Sequence, residues 1–130
     1  MRVIYGLLTL TAAALFALGP IQSAGAASNP IHILQCFVIQ PKALSRNAGG
    51  TQIVYVNQGP MTATEVTFSV AYRNAANHYV RMVTDEGMFN PGVKIDHRFN
   101  LYSDVLYAGK QTQSCRVVKV KWRNGRTSLF

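Results

Sequence analysis

Asp85-Glu-Gly-Met-Phe-Asn-Pro-Gly-Val-Lys-Ile-Asp-His-Arg-Phe99 is the stretch from which the fold can be read. Gly87 and the triplet Asn90-Pro91-Gly92 are turn signals, because proline fixes its own φ and glycine accepts the positive φ of a tight turn. From Val93 the period becomes two. Val93, Ile95, His97, Phe99 and Leu101 fall on one side, and Lys94, Asp96, Arg98 and Asn100 on the other. That pattern predicts a turn cluster over 85–92 feeding a half-buried antiparallel strand. It also sets a histidine on the apolar face.

The flanking chain follows the same β grammar. Ile31 to Ile39 is β-branched and aromatic, with Cys36 expected inward beside Leu34 and Val38. Lys42 to Gly50 reads as a flexible loop and Thr51 to Asn57 as a second strand. Ala63 to Tyr72 gives the cleanest alternation, with Val66, Phe68, Val70 and Tyr72 inward. Arg73 to Asn77 is a hairpin loop, and His78 to Thr84 returns. Ser103 to Ala108 is a short strand, Cys115 to Arg123 the last long one, and Asn124-Gly125 a hairpin-type turn. About seven or eight short strands with turns every ~8–12 residues predict an all-β, antiparallel, Ig-like β-sandwich, with a small barrel as the alternative. The narrow immunoglobulin hallmarks are missing: Trp122 follows the second cysteine, and Gln113, not tyrosine, stands two before Cys115.

One conflict in the last strand is informative. Simple alternation from Cys115 would place Lys119, Lys121 and Arg123 on the cysteine's buried face. A bulge near Val117-Val118 resolves this, turning Cys115 and Val117, then Val118, Val120 and Trp122, inward and the cations outward.

Residues 1–27 read as a secretory signal. Arg2 supplies the positive start, Val3 to Leu18 carry no charge, and Ala24-Gly25-Ala26 is a small-x-small cleavage site. The apolar run is shorter than the ~20 residues that span a bilayer comfortably. Cleavage leaves one domain, 28–130, expected in the periplasm or secreted, with no transmembrane segment. Its charge is one unit below the whole chain's +8, since only Arg2 departs. Such a balance favours solubility and attraction to anionic surfaces without dictating a fold. In an oxidising compartment, Cys36 and Cys115 are expected to form a disulfide. Closing a loop of about 80 residues contributes ~4 kcal/mol in the chain-entropy model.

Val54-Tyr-Val-Asn57, Ala63-Thr-Glu-Val-Thr-Phe-Ser-Val70, Asp85-x-Gly87-x-Phe89-x-Pro91-Gly92-x-x-Ile95-x-His97-x-Phe99 and Cys115-x-Val117 together resemble a group of small exported bacterial proteins of unknown function. The resemblance covers most of the mature chain and implies an exported Ig-like β domain. It brings no activity and no site residues.

Candidate sites are few. His97 is read as a structural histidine whose ring N–H is met by Asp85 or Glu86, so that Asp85, Gly87, Pro91, Gly92 and His97 tie the turn to the strand. The opposing reading, a catalytic base or metal ligand, has no HxH or HExxH spacing behind it. No G-x-S-x-G or glycine-rich phosphate loop occurs, so no enzyme, cofactor or metal is expected. Lys119, Lys121, Arg123 and Arg126 form a basic run without an intervening acid. They are expected either to protect an edge or to meet a polyanion. Trp122 points away from them, which argues against a stacking platform for a specific nucleic acid. The sequence therefore predicts an exported, non-enzymatic Ig-like interaction or structural module with an unidentified protein partner. The alternative is a binder of anionic envelope material (lipid head groups, polysaccharide or nucleic acid) through the basic strand.

Overall fold

The computed structural model describes residues 28–39, 49–75, 78–100 and 110–130. Seven strands follow in order: β1 (Ile31–Ile39), β2 (Gly50–Asn57), β3 (Ala63–Arg73), β4 (His78–Phe89), β5 (Lys94–Phe99), β6 (Thr112–Trp122) and β7 (Thr127–Leu129). There is no helix among the described residues. The expected leader, most of the 42–50 loop and the strand expected over 103–108 lie outside them.

The strands form two antiparallel sheets, ordered β1-β2-β5 and β4-β3-β6-β7. Among the described residues the two open sheets share one core, an arrangement consistent with a sandwich. The core comes mainly from the central strands, which are flanked on both sides. Val66, Phe68 and Val70 of β3 pack with Ile53 and Tyr55 of β2, all fully buried. The Tyr55 ring meets Phe68 edge-on at 5.0 Å and Phe89 at 5.7 Å, the geometry aromatic quadrupoles favour. Cys36 of β1 and Cys115 of β6 are joined across the sheets, Cα to Cα 5.9 Å. Gln113 lies beside the bridge, donating to the Cys36 sulfur at 3.3 Å and accepting from Thr51 Oγ1 at 3.1 Å.

Bulges decide which side chains reach this core. In β6, Thr67 pairs with Lys119 but Phe68 with Val117, so Val118 is the extra residue. The face switches there, and Cys115, Val117, Val120 and Trp122 all turn inward, as the charges required. Val118 itself is only half-buried, a correction to its expected inward place, and its carbonyl accepts from Phe130 N at 3.1 Å. In β1 the register shifts between Ile33 and Gln35. Leu34 is the inserted residue and is 47% exposed, so Ile31 and Ile33, not Leu34, share the inner side with Cys36.

A bulge in β4 corrects the organising stretch. Asp85 to Phe89 is not a turn but the end of β4, since Glu86 pairs with Glu65 and Phe89 with Ala63. The extra residue on β4 falls at Gly87-Met88. A Cβ on Gly87 would lie 3.1 Å from the Phe89 ring, so glycine here lets Phe89 fold back against the strand. The turn is confined to Asn90–Val93. Val93 N donates to Asn90 O, and Gly92 has φ +78°, the conformation a type II turn requires after proline. Val93 is exposed in this turn and does not join the apolar face.

Candidate functional site

His97, on edge strand β5, meets Asp85, on edge strand β4 of the opposite sheet. Its Nδ1 lies 2.7 Å from Asp85 Oδ1, and Tyr55 donates its hydroxyl to Asp85 Oδ2 at 2.8 Å. Asp85, and not Glu86, is thus the residue that reaches the imidazole. Asp85 is 2% exposed and His97 47%, which corrects the expectation of a core histidine. The parity was right, but an edge strand covers one side of the ring only. Phe99 stacks on that side at 4.6 Å. Burial, and then the hydrogen bond and charge of Asp85, push the Tyr55 phenol well above its ordinary value of 10.0. Chemically the group is a staple: one buried carboxylate joins a core tyrosine to the opposite sheet's edge. An inward charge on an edge strand also discourages pairing with a foreign strand.

Gly87 lies in the β4 bulge, while Pro91 and Gly92 build the turn that carries the chain from one sheet to the other. That turn is held by a residue the sequence did not single out. Asn57, fully buried at the end of β2, donates Nδ2 to Met61 O at 2.8 Å and to Phe89 O at 2.9 Å. Its Oδ1 accepts from Gly59 N at 2.9 Å, and its backbone carbonyl from Gly92 N at 2.7 Å. Asn57 therefore braces the β2–β3 loop against the β4–β5 turn. In the sequence it stands only as the last residue of the expected second strand.

The basic run does not act as one ladder. Lys119 and Lys121 lie on the outer face of the four-stranded sheet, but Lys119 Nζ is 2.6 Å from Glu65 Oε1 on β3, and Lys121 pairs with Glu65 in register. The missing acid was supplied by a neighbouring strand. Lys119, by its hydrogen bond, holds the Glu65 carboxyl below the usual range. Arg123 and Arg126 follow in the exposed turn between β6 and β7.

That turn borders a small pocket. It is lined by Pro30, Pro60, Met61, Trp122, Arg126 and Ser128, with a volume of about 200 Å³. The Trp122 indole N–H donates to Ser128 Oγ at 2.9 Å, fixing the ring as a floor. Gly125, at φ +83°, donates to Trp122 O at 2.9 Å, and Trp122 N donates to Arg126 O at 2.8 Å. This is a three-residue hairpin loop with a left-handed last residue, one longer than the Asn124-Gly125 turn the sequence implied. Pro30 is anchored by Gln58 N donating to its carbonyl at 2.8 Å, and Arg123 N donates to Thr62 O at 3.0 Å. A second pocket, of about 270 Å³, lies at the opposite end near Tyr72, Arg73, His78 and Gln113.

Fold and site together define a two-sheet, disulfide-bonded β-sandwich with a braced pocket at one loop end. No protein-family model, curated protein or solved structure matches the chain.

Proposed function

We propose that this chain is an exported Ig-like module that acts by binding a partner, not by catalysis, in the periplasm or outside the cell. The strand order supports the Ig-like type. Relabelling β1, β2, β3, β4, β5, β6 and β7 as A, B, C, C′, E, F and G gives sheets A-B-E and C′-C-F-G, the Ig arrangement without strand D. The bridge then joins A to F in place of B to F. Export is supported by the leader-like start of the sequence and by a disulfide that an oxidising compartment sustains. The resemblance to small exported bacterial proteins agrees with this.

The observation that carries the binding role is the pocket between the β2–β3 loop and the β6–β7 turn. In Ig-like labels these are the B–C and F–G connections, the end at which variable domains meet their ligands. That is an analogy of fold, and the site supplies the chemistry: a fixed tryptophan, rigid prolines and an arginine. The Tyr55–Asp85–His97 group serves the sandwich as a staple, with both carboxylate oxygens of Asp85 engaged. Affinity capture with the oxidised domain, from envelope and medium fractions, tests the role. A partner captured reproducibly and competed off by free domain supports it. Loss of nothing but non-specific background on competition overturns it.

The second reading is a contact with anionic envelope material. It is favoured by Lys121, Arg123 and Arg126, all exposed at one end of β6, and weakened by the Glu65–Lys119 pair. Binding of that kind falls steeply with salt as ions screen over ~8–10 Å.

A further inference from the structure

Resting on the binding role proposed above, we infer that the Trp122 pocket receives one apolar side chain of an acidic peptide segment, with Arg126 and Arg123 meeting the flanking carboxylates. The size of the pocket points to a single side chain. At about 200 Å³ it falls below the ~300–1,000 Å³ typical of sites for whole small molecules. It exceeds the ~150 Å³ apolar space that accepts a benzene ring. Trp122, Met61, Pro30 and Pro60 supply an apolar lining, and Ser128 fixes the indole by taking its N–H.

The charge around the pocket selects the neighbours of that side chain. Of the residues that line it, Arg126 alone carries a charge, and no acid is among them. Arg126 stands in the lining itself, and Arg123 lies three residues earlier in the same turn. A guanidinium matches a carboxylate through two parallel hydrogen bonds, a geometry suited to discrete side chains. A charged lipid surface would instead be met by a broad plane of cations. On the adjoining sheet face Lys119 is already engaged by Glu65.

The site is also formed in advance. Asn57 holds Met61 by its backbone and the loop by Gly59, Thr62 Oγ1 donates to Asn90 Oδ1 at 3.0 Å, and Pro30 packs 3.0 Å from a Cβ position on Gly59. Little loop entropy is left to lose on binding, which favours affinity in a small contact.

Trp122 is the single tryptophan of the chain, so its emission reports occupancy directly. Oxidised domain recovered from the exporting cell is titrated with the peptide acetyl-Gly-Asp-Glu-Leu-Asp-Glu-Gly-amide. Control titrations use a peptide with lysine in place of each acid, one with alanine in place of the leucine, and phosphatidylglycerol vesicles. The expected result is a saturable emission shift with the acidic leucine peptide. Affinity falls at least tenfold, about 1.4 kcal/mol, for the alanine peptide and for Arg126→Glu, and is lost with the lysine peptide. Arg123→Glu gives a smaller loss in the same direction, and unchanged melting curves show that both variants fold. No shift, an equal response to the lysine peptide, a response to vesicles alone, or undiminished binding by Arg126→Glu overturns the inference. A captured partner that ignores Arg126→Glu would leave the binding module standing and remove only this site; failure of both titration and capture would remove both.

Discussion

Truncating the three members of the Tyr55–Asp85–His97 group should give three different costs, in a fixed order. Tyr55 and Asp85 are almost completely buried, so Tyr55→Phe deletes a hydrogen bond to a charged group and leaves Asp85 Oδ2 unmet. Such bonds contribute ~1.5–3 kcal/mol. Taking about 2 kcal/mol, a domain of this size should lose roughly 8–16 °C in Tm. His97 is nearly half exposed, and a polar contact screened by water in that way is worth ~1 kcal/mol or less. His97→Ala should therefore cost a few degrees only. Asp85→Ala removes the acceptor of both partners and should cost most, about 3 kcal/mol. Urea unfolding at neutral pH, with m-values compared across the variants, measures all three. If His97→Ala proved as costly as Asp85→Ala, or Tyr55→Phe cost nothing, the staple would be misassigned.

The same tyrosine gives a pH prediction. Its phenol is raised above 10.0 in the folded state, so its contribution is complete below about pH 10. Above that the unfolded phenol ionises first, and stability should fall by ~1.4 kcal/mol per pH unit until the folded group titrates. Tyr55→Phe should remove that component of the alkaline slope. The lowered Glu65 carboxyl gives the opposite sign: what the Lys119 pair contributes is present above the ordinary carboxylate range and lost as pH falls through the lowered value, and Glu65→Gln should abolish that acid-side change. Asn57→Asp should destabilise strongly, by ~2–4 kcal/mol, because it sets an oxygen against the Met61 and Phe89 carbonyls; a melting curve unchanged from wild type would refute its bracing role. Replacing Cys36 and Cys115 together by alanine should cost ~2–5 kcal/mol, read as a lower urea midpoint.

Local chemistry made much of the sandwich legible. The alternation of Val66, Phe68, Val70 and Tyr72 marked β3 as a core strand, because a central strand must alternate strictly to fill one side. The charges after Cys115 exposed the β6 bulge, since three cations cannot share the disulfide's buried face. Leu34 and Gly87 misled for a common reason. Each marks an inserted residue in a ladder, and an insertion is specified by the partner strand's register, which single-strand periodicity does not contain. His97 was assigned the correct side, but its exposure depends on β5 being an edge.

The sites were less legible than the fold. Glu65 is more than fifty positions from Lys119, and only the β3–β6 pairing brings them together. The pocket draws on both ends of the domain and on two loops, so no local motif announces it. Trp122 was expected inward; what the sequence did not convey is that it floors a pocket. Its indole geometry follows from Ser128 across the last hairpin.

Mapping the bound partner onto the domain tests the central claim most directly. Amide shifts of the isotopically labelled, oxidised domain should be followed on addition of the captured partner. An Ig-like module binding through its loop end predicts changes concentrated at Gly59 to Thr62 and Trp122 to Ser128, with the β4–β5 edge around Asp85 and His97 unmoved. Changes centred instead on Lys119 and Lys121, or on His97, with the loop end silent, would contradict it.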